Sequence, residues 1–471
     1  MPARHGLTSW LMGLLFLSSQ AAADCTTPSA KAGAREDISG TAHFCDGQNW
    51  VPMFTDGSAG ACSVAGRWDW HSGSSAYTHC NGANLIRIRA PSCTVSALTY
   101  GSRRTSADLN VANVLEISPD GTKAYVGSQF GGKLVVMDIS ASPAAPTILG
   151  VTADNANAGD WTDSKLVGNW VFGVARGGRN FFTVNVANPA APAFSGRLNL
   201  PTQMQNIWSL DTSMDGTIAY AIGWASGPTA NRCILHVINT TNPASPTSTA
   251  IYDITNAMGG PQQYCNQVRR FGNKLLISFA DGGIAHVSIA NPVSPVFQAY
   301  TTHANAGDIE FSAFSEDGNT LYAVTNASSR FYSWNVSGTT PTYLTNFQDT
   351  TRMQTATALT LRGRYAFVAG KTSNYVSMVD VATPSSPSVA VSTNNANITS
   401  PEKAVPYGRY LYITSSDGAD ALNVFDMGCD PISTANLGSC STARRKEYFP
   451  DARAYCYCDG SAYRVMGKSR H

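Results

Sequence analysis

The sequence predicts an all-β protein: a seven-bladed β-propeller closed by an N-terminal outer strand, with small disulfide-stapled β-modules at both ends. Three observations lead to this fold class. A strand-like unit that ends in a polar residue and a proline-rich turn recurs at intervals of 45 to 54 residues. Turn-forming residue pairs precede each copy, and shorter cysteine-containing repeats stand at the chain ends. Repeats of this length with several short strands each are typical of propeller blades.

The repeat is clearest at Leu134–Ser140, which reads LVVMDIS and is followed by Pro143 and Pro146. All copies align on one polar residue, and this alignment gives seven units: Asp138, Asn185, Asn239, Ser288, Asn335, Asp380 and Asp426. The copies at Asn335 and Asp426 depart from the paired-proline pattern. Seven units predict seven blades.

Each unit also has a hairpin signal upstream of the polar residue. Three units contain a Ser-x-Asp-Gly sequence, at 118–121, 213–216 and 315–318, and the others carry Gly-Asn or Gly-Arg at the equivalent place. Such pairs adopt positive φ at low cost and close hairpins between strands. We therefore interpret these acidic residues as turn residues and not as metal ligands, and each unit as a four-stranded blade.

Two segments, Leu134–Ser140 and Val287–Pro292, resemble the repeat of the LVIVD propellers of bacterial and archaeal surface and secreted proteins. Ile117–Val126 is also similar to the YVTN-type repeat of surface-layer propellers. The resemblance covers about residues 94–430 and implies a seven-bladed ring. The family has no shared catalytic residues, so the resemblance implies no activity.

The last unit predicts how the ring closes. Asp426–Cys429 stops where the other units continue into a fourth strand, whereas Thr94–Tyr100 has the pattern of an outer strand with no blade of its own. We expect this N-terminal strand to complete blade 7, and a disulfide between Cys93 and Cys429 to lock the closure.

The eleven cysteines indicate disulfides in an oxidising compartment. Three short repeats, each with two cysteines and an Asp-Gly or Asn-Gly turn, predict the pairs Cys25–Cys45, Cys62–Cys80 and Cys440–Cys458, each stapling a tiny core of its own. Cys456 lies outside these pairs. Cys233 and Cys265 open strands at the same end of adjacent blades, so we expect them to pair as well.

The predicted organisation is a signal peptide at 1–23, two modules at 24–92, the propeller at 93–430 and a C-terminal module at 431–471. Residues 7–20 are mostly apolar and lead to a run of alanines, as in a signal peptide. The stretch is too short to span a bilayer. The sequence therefore predicts a protein that is periplasmic, extracellular or on the cell surface, without a transmembrane segment.

Charge is sparse and balanced, with 13% charged residues and a formal net charge of +1. No basic stripe is available to neutralise a phosphate backbone, so nucleic acid is not an expected partner. Sequence motifs indicate no cofactor and no metal. The expected partner is an extracellular protein or a glycan.

Alternation of strand direction places the loops before the first and third strands of every blade on one face of the ring. Two of these loops read almost alike, at 157–160 and 305–308. They are either ligand or calcium loops, or turns in which Asn, Gly and Asp satisfy backbone groups. The ligand-binding residues predicted on this face are Asp160, Trp161, Trp224, Arg232, His303 and Asp308. For each tryptophan, buried packing between blades is the alternative to a surface platform.

Catalytic motifs are absent from the sequence, including the Gly-x-Ser-x-Gly elbow and the His-Glu-x-x-His pair. We therefore expect a recognition or scaffold protein and no catalytic residues. The alternative is a hydrolase or lactonase of the propeller type, whose residues come singly from different blades and converge at the tunnel mouth. Candidates for that role lie near the starts of inner strands: Arg269, Glu310, Glu402 and Lys403.

Overall fold

The fold was established from a computed structural model. It describes residues 94–431 except 141–145, 201–203, 205, 214, 226–230, 260–263, 304–305, 316 and 417–419. Towards the chain ends it describes residues 34–38, 41–45, 50–53, 55–61, 68–71, 76–80, 84–88, 446–449, 454–458 and 463–468.

The described N-terminal residues form short strands in two sheets, with orders β1-β2-β3 and β4-β7-β6-β5. Their bounds are β1 (Arg35–Ile38), β2 (Thr41–Cys45), β3 (Trp50–Pro52), β4 (Thr55–Ala61), β5 (Trp68–His71), β6 (Ala76–Cys80) and β7 (Asn84–Ile88). A further strand, β8 (Thr99–Thr105), leads into the ring through a 3-10 turn at Ala107–Leu109.

Seven four-stranded antiparallel sheets, the blades, form the ring, which confirms the predicted fold class. Their strands, inner to outer, are as follows. Blade 1 has β9 (Ala112–Ile117), β10 (Lys123–Ser128), β11 (Lys133–Asp138) and β12 (Thr147–Ala153); blade 2 has β13 (Trp161–Val167), β14 (Trp170–Ala175), β15 (Asn180–Asn185) and β16 (Ala193–Asn199). Blade 3 has β17 (Asn206–Thr212), β18 (Ile218–Ala225), β19 (Arg232–Asn239) and β20 (Thr247–Asp253); blade 4 has β21 (Cys265–Phe271), β22 (Lys274–Phe279), β23 (Ile284–Ser288) and β24 (Val296–Thr301).

The ring continues in the same way. Blade 5 has β25 (Ile309–Phe314), β26 (Thr320–Thr325), β27 (Arg330–Asn335) and β28 (Thr342–Gln348); blade 6 has β29 (Ala356–Arg362), β30 (Tyr365–Gly370), β31 (Tyr375–Asp380) and β32 (Ser388–Thr393). Blade 7 has β33 (Pro401–Tyr407), β34 (Tyr410–Ser415) and β35 (Ala421–Asp426), followed by β8. Two short helices, α1 (Asn155–Ala158) and α2 (Ile254–Met258), lie between blades, and β36 (Lys446–Phe449), β37 (Ala454–Cys458) and β38 (Tyr463–Lys468) form the C-terminal sheet.

The apolar core of the ring lies between the blades. The second strands of blades 5 and 6 are buried at every position, whereas outer strands alternate between exposed and partly buried residues. A central strand needs apolar side chains on both faces because a neighbouring blade covers each face. Seven apolar clusters result, one at each junction between adjacent blades.

The polar residue on which the repeats align has the same role in all seven blades. Its side-chain oxygen accepts a hydrogen bond from the backbone N–H two residues further on, at 2.7 to 3.4 Å. This local bond shapes the turn towards the outer strand. The acids predicted to lie in hairpin turns, Asp120, Asp215 and Asp317, likewise accept a hydrogen bond from the backbone N–H two residues further on, which confirms that prediction.

The ring closes through β8, as predicted, but at a different register. Thr99 pairs with Asp426 and Thr105 with Ala421, so the strand lies about five residues beyond the predicted Thr94–Tyr100. Val95, buried, and Leu98, partly buried, pack instead against the apolar cluster of blades 6 and 7. The apolar side chains before residue 99 are thus used for packing between blades 6 and 7, and the more polar residues 99–105 form the outer strand of blade 7. Cys429 is disulfide-bonded; Cys93 lies outside the described residues.

The terminal modules share one apolar core, which corrects the expectation of a separate tiny core in each. This core joins residues from all three modules: Ala42, Phe44, Val51, Met53, Tyr77, Tyr455, Tyr457 and Met466, with Trp68 packed against it. Three units too small to bury enough apolar surface alone achieve burial by packing together. The two chain ends therefore meet twice, in blade 7 and in the joined modules.

Cations reinforce this shared core. The Lys446 ammonium lies 4.0 Å from the centre of the Tyr77 ring, and the Arg35 guanidinium lies 5.5 Å from Trp68 and 5.8 Å from Tyr455. Burial, with a contribution from Arg35, lowers the pKa of Lys446 to about 8.

Cys45, Cys80 and Cys458 are disulfide-bonded, while their predicted partners Cys25, Cys62 and Cys440 lie outside the described residues. Cys456 is a buried thiol. Among the residues with described structure, no helix is long and apolar enough to cross a bilayer. The predicted signal peptide lies outside them.

Candidate functional site

The two faces of the ring differ in their loops. We name the side with the connections before the first and third strands the loop-rich face, and the opposite side, with the hairpin and proline-rich turns, the Pro-turn face. Both short helices lie in connections of the loop-rich face, before blades 2 and 4. Each predicted ligand-binding residue lies on an element that ends at this face.

Asp160 is held in place at the junction of blades 1 and 2. Its backbone is left-handed, with φ 61°. Gln129 Nε2 donates to Oδ1 at 2.6 Å, and Arg176 Nε donates to Oδ2 at 2.5 Å. The guanidinium of Arg176 in turn stacks on the Trp208 ring at 4.9 Å. The carboxylate is thus fixed and neutralised before any ligand arrives.

Trp161 is fully buried, at 0% exposure, which corrects the expectation that its ring faces a ligand. The ring packs edge-on against Phe182, with centroids 4.8 Å apart, inside the cluster between blades 1 and 2. Its Nε1 donates to the backbone carbonyl of Asp163 at 2.9 Å. Apolar area and a satisfied N–H both favour burial.

Trp224 and Arg232 lie at the ends of adjacent strands of blade 3, where Trp224 pairs with Cys233 and Arg232 pairs with Ala225. The Trp224 ring contacts Tyr264 edge-on at 4.5 Å, and Arg232, half exposed, forms an ion pair with Asp253. The predicted Cys233–Cys265 disulfide is present, with Cα atoms 5.4 Å apart. It fixes the base of the connection between β18 and β19 and ties blade 3 to blade 4.

His303 and Asp308 belong to the junction of blades 4 and 5. The His303 ring stacks on Tyr343 of the outer strand, with centroids 3.8 Å apart. Asp308 accepts a hydrogen bond from Asn266 Nδ2 at 2.7 Å, while burial raises the pKa of its carboxyl. The six predicted residues therefore occupy three separate places on one face and do not converge on one site.

A ring of β-bulges surrounds the tunnel, a feature that the sequence analysis missed. One residue near the start of every inner strand has no pairing partner: Asn113, Thr162, Trp208, Asn266, Glu310, Thr357 and Glu402. Four of them donate to a backbone carbonyl of the next blade at 2.6 to 3.0 Å. The inner strand is the edge of its sheet, so the preceding blade satisfies its peptide groups.

The other three bulge residues break this pattern. The indole N–H of Trp208 is buried without a hydrogen-bond partner. Glu402 is buried and accepts hydrogen bonds from Lys371 Nζ at 2.5 Å and Ser416 Oγ at 2.8 Å. Burial, and secondarily the charge of Asp308, raises the pKa of Glu310 to about 7, although Lys403 acts in the opposite direction.

Just beyond the bulges, Asp163 connects several blades. Its Oδ2 accepts hydrogen bonds from Ser209 Oγ at 2.7 Å and Leu210 N at 3.2 Å, and Arg269 lies at 3.4 Å. Burial alone would raise the pKa of this carboxyl, but Arg269 and Lys403 outweigh burial and hold the pKa below its usual value. Lys403 also lies 4.6 Å from the centre of the Phe311 ring.

Of the four candidates for converging catalytic residues, three thus have internal partners in this lining. Arg269 forms an ion pair with Asp163, and the charge of the same carboxylate favours the protonated form of Lys403. Glu402 forms an ion pair with Lys371. Within the described part of the chain, no group of three or more His, Cys, Asp or Glu side chains is arranged to hold a metal ion.

We expect Glu310→Gln to change how stability depends on pH. A carboxyl with a raised pKa in the folded state stabilises the protein below its unfolded pKa and loses that contribution as pH rises through about 7. The wild type should therefore lose up to about 3 kcal/mol of unfolding free energy from this group between pH 4.5 and 8. The variant should not show this loss.

Denaturant titrations at several pH values measure this effect. Asp308→Asn serves as the second variant: because Asp308 raises the pKa of Glu310, its neutralisation should move the pH-dependent step to lower pH. Identical pH profiles for wild type and Glu310→Gln would mean that Glu310 titrates alike in the folded and unfolded chains.

An open cavity lies at the junction of blades 1 and 2, and the predicted residue Asp160 is part of its lining. Its volume is about 390 Å³, and it is lined by residues 129–131, 155–156, 159–160 and 177–178. Phe130 lies at the cavity and is 54% exposed, the highest value among the large apolar side chains of the described residues. The sequence gave a signal for the 157–160 loop but none for Phe130, which lies in a connection that follows no repeated pattern.

Comparison with known proteins agrees with the fold. The LVIVD repeat model matches residues 116–153 and 355–395. The β-propeller domain of Cps50 (Swd1) from Myceliophteria thermophila is similar in structure, with a TM-score of 0.55 at 10% identity over 70% of this chain and 99% of that one. Raptor from Chaetomium thermophilum gives 0.55 at 9% identity over 71% of this chain and 29% of that one. At these identities the likeness concerns the fold alone. No curated protein sequence matches this chain.

Proposed function

We propose that this seven-bladed β-propeller with LVIVD repeats is a secreted or cell-surface recognition protein, which binds an extracellular protein or glycan through its loop-rich face. The observation that supports this proposal most directly is the contrast between the two faces. In repeat proteins, loops that vary between copies gather on one face, and that face is often the binding surface.

The turns of the Pro-turn face use the same internal hydrogen bonds in blade after blade. Every blade has the side-chain turn described above, and the hairpins at 118–121, 213–216 and 315–318 are each closed by a Ser and an Asp that bond to each other and to the backbone. The polar groups of such turns are hydrogen-bonded within the turn, so few of them remain to bind a ligand.

The loop-rich face carries different side-chain arrangements at three places around the ring. It has a clamped Asp160 beside a cavity at blades 1 and 2, an Arg232–Asp253 pair beside Trp224 and Tyr264 at blade 3, and His303 stacked on Tyr343 at blade 5. The aromatic rings are partly exposed and Arg232 is exposed, and such aromatic and charged side chains, held in place by their neighbours, are common in recognition surfaces.

Export is part of this proposal. It is supported by the apolar segment before Asp24 and by several disulfide-bonded cysteines. Residues 1–23 fused to a reporter enzyme should direct the reporter out of the cytoplasm, with cleavage before Asp24. Retention of the reporter inside the cell would remove the extracellular part of the proposal.

A hydrolase with its site at the tunnel mouth is the second candidate, and Glu310 is the observation that favours it. Its pKa of about 7 suits general acid or base catalysis. The other charged residues of the lining have internal partners, which leaves Glu310 without an evident second group for the chemistry. Ester hydrolysis that is lost in Glu310→Gln but kept in Asp308→Asn would favour the enzyme.

The test of the recognition function compares two matched double variants. Trp224→Ala/Arg232→Ala alters the loop-rich face. Arg409→Ala/Tyr410→Ala alters the Pro-turn face, where Arg409 lies over the Tyr410 ring and pairs with Asp426. The two arginines are matched in exposure, at 49% and 50%.

Binding to proteins extracted from the cell surface should weaken in the loop-face variant only. Both variants should keep the melting temperature of the wild type to within the small change that is usual for surface substitutions. Loss of binding in the Arg409→Ala/Tyr410→Ala variant alone would assign recognition to the Pro-turn face and contradict the proposal.

A further inference from the structure

The cavity between blades 1 and 2 has a preformed floor. Gly177 and Gly178 lie against the α1 segment so closely that an added Cβ would lie 3.1 Å from the carbonyl oxygens of Gly159 and Asn157 respectively. Asn180 Nδ2 supports the same segment by donating to the Asn157 carbonyl at 3.1 Å. Backbone therefore packs on backbone here, and peptide groups line much of the cavity.

Two polar side chains at the cavity could bind a ligand: Asp160, which is held in place, and Asn155, which is exposed. Asp160 presents a carboxylate whose two oxygens are already oriented by Gln129 and Arg176. Each oxygen retains a second lone pair that can accept a hydrogen bond. Asn155 is exposed beside it and adds an amide with both donor and acceptor groups. A fixed carboxylate next to an amide suits a ligand with adjacent hydroxyl groups.

Phe130 supplies the apolar contact. It follows Gln129 in the connection between β10 and β11, and its ring is more than half exposed beside this polar floor. A large aromatic ring left in solvent forgoes apolar burial that a ligand can restore. The C–H face of a sugar ring is the kind of surface that stacks on such a ring while its hydroxyls reach polar neighbours.

Charge narrows the ligand class. Asp160 is the one ionisable side chain among the residues that line this cavity, and Arg176 neutralises it. An anionic ligand would meet a carboxylate and no lining cation, and a cationic ligand would have to compete with Arg176. An uncharged, polyhydroxylated ligand incurs neither penalty. The volume of about 390 Å³ is within the range of small-ligand sites.

From this geometry we propose that the cavity at the junction of blades 1 and 2 binds the end of a neutral glycan, with one sugar ring stacked on Phe130 and its hydroxyls bonded to Asp160 and Asn155. This inference rests on the proposed recognition function and assigns to it one site and one ligand class. It does not depend on the Trp224 and Arg232 surface, which lies on another blade.

The test uses the full mature chain on an array of neutral oligosaccharides, with acidic oligosaccharides and unstructured peptides as competing probes. Positive glycans are then measured by titration calorimetry with Phe130→Ala and Phe130→Trp. We expect binding of neutral glycans, a loss of roughly tenfold in affinity for Phe130→Ala, and affinity retained in Phe130→Trp. Phe130 is exposed, so neither substitution should change the melting temperature.

The outcomes separate this inference from the proposed function. Neutral-glycan binding that survives Phe130→Ala but is lost in Trp224→Ala/Arg232→Ala would overturn the cavity assignment and leave the loop-face function intact. Binding of acidic glycans or peptides alone, or of no glycan on the array, would overturn the ligand class. Neutral-glycan binding lost only in Arg409→Ala/Tyr410→Ala would overturn both.

Discussion

Replacing β8 with a flexible linker of equal length should abolish cooperative folding of the ring. β8 completes blade 7 by pairing along the whole of β35, from Thr99 opposite Asp426 to Thr105 opposite Ala421. The chain then passes directly from β8 to β9, so β8 is also the covalent connection between blade 7 and blade 1. Without it, blades 7 and 1 contact each other only through side-chain packing and a few hydrogen bonds.

β8 also contributes side-chain packing to blade 7. Tyr100 packs edge-on against Phe425, with centroids 5.4 Å apart, and Phe425 is fully buried. Tyr100 is partly buried, so its loss costs less than the roughly 3 kcal/mol of a fully buried aromatic side chain, but removal of the strand also exposes the edge of β35. The remaining links between blades 7 and 1, such as the Tyr407 hydroxyl donating to the Pro119 carbonyl, are too few to compensate.

Circular dichroism and thermal melting of the soluble fraction measure this effect. The matched control replaces β28, the outer strand of blade 5, with the same linker. That change also removes an outer strand but leaves the chain continuous between blades 5 and 6. We expect a lower melting temperature for the control and loss of a cooperative transition for the β8 variant. If the β8 variant melts cooperatively and close to the control, closure of the ring does not require the N-terminal strand to pair with blade 7.

The sequence could predict those features that depend on local chemistry. The seven aligned polar residues bond to a backbone N–H only two residues away, so their spacing predicts both the turn and the number of blades. The Cys233–Cys265 pairing followed from strand direction, because both residues open strands at the same end of adjacent blades.

Features that depend on contacts between distant segments could not be predicted in this way. For Trp161 the sequence left a surface platform and buried packing between blades both open, because it does not show that Phe182 lies against the ring. The register of β8 depends on where Val95 and Leu98 find an apolar cluster, and the shared core of the modules joins Phe44 to Tyr455 across almost the whole chain. The Phe130 cavity combines three loops that share no pattern.

The second large effect concerns the tunnel lining, where we expect Asp163→Ala to destabilise the ring by about 3 to 5 kcal/mol. Asp163 lies on blade 2, accepts hydrogen bonds from Ser209 and Leu210 of blade 3, and faces Arg269 of blade 4. Its charge also stabilises the protonated form of Lys403 of blade 7, whose pKa burial lowers. Removing the carboxylate leaves two poorly solvated cations near each other without their common partner.

Asp163→Asn and Asp163→Ala/Arg269→Met separate charge from packing. Asparagine keeps an acceptor for Ser209 but loses the charge, so its cost should lie between those of the wild type and the alanine variant. The double variant removes one of the stranded cations and should recover part of the loss, which a double-mutant cycle with Arg269→Met measures as a coupling energy.

The pH dependence of the unfolding free energy tests independently whether the charge of Asp163 stabilises the folded ring. Because the pKa of Asp163 is lowered in the folded state, its contribution is fully present above the unfolded value of about 4 and is lost as pH falls through the folded value. The difference in unfolding free energy between wild type and Asp163→Ala, measured by denaturant titration, should therefore be constant from pH 5 to 7 and shrink below about pH 4. A difference that persists unchanged at pH 3 would mean that Asp163 acts through its shape and not through its charge.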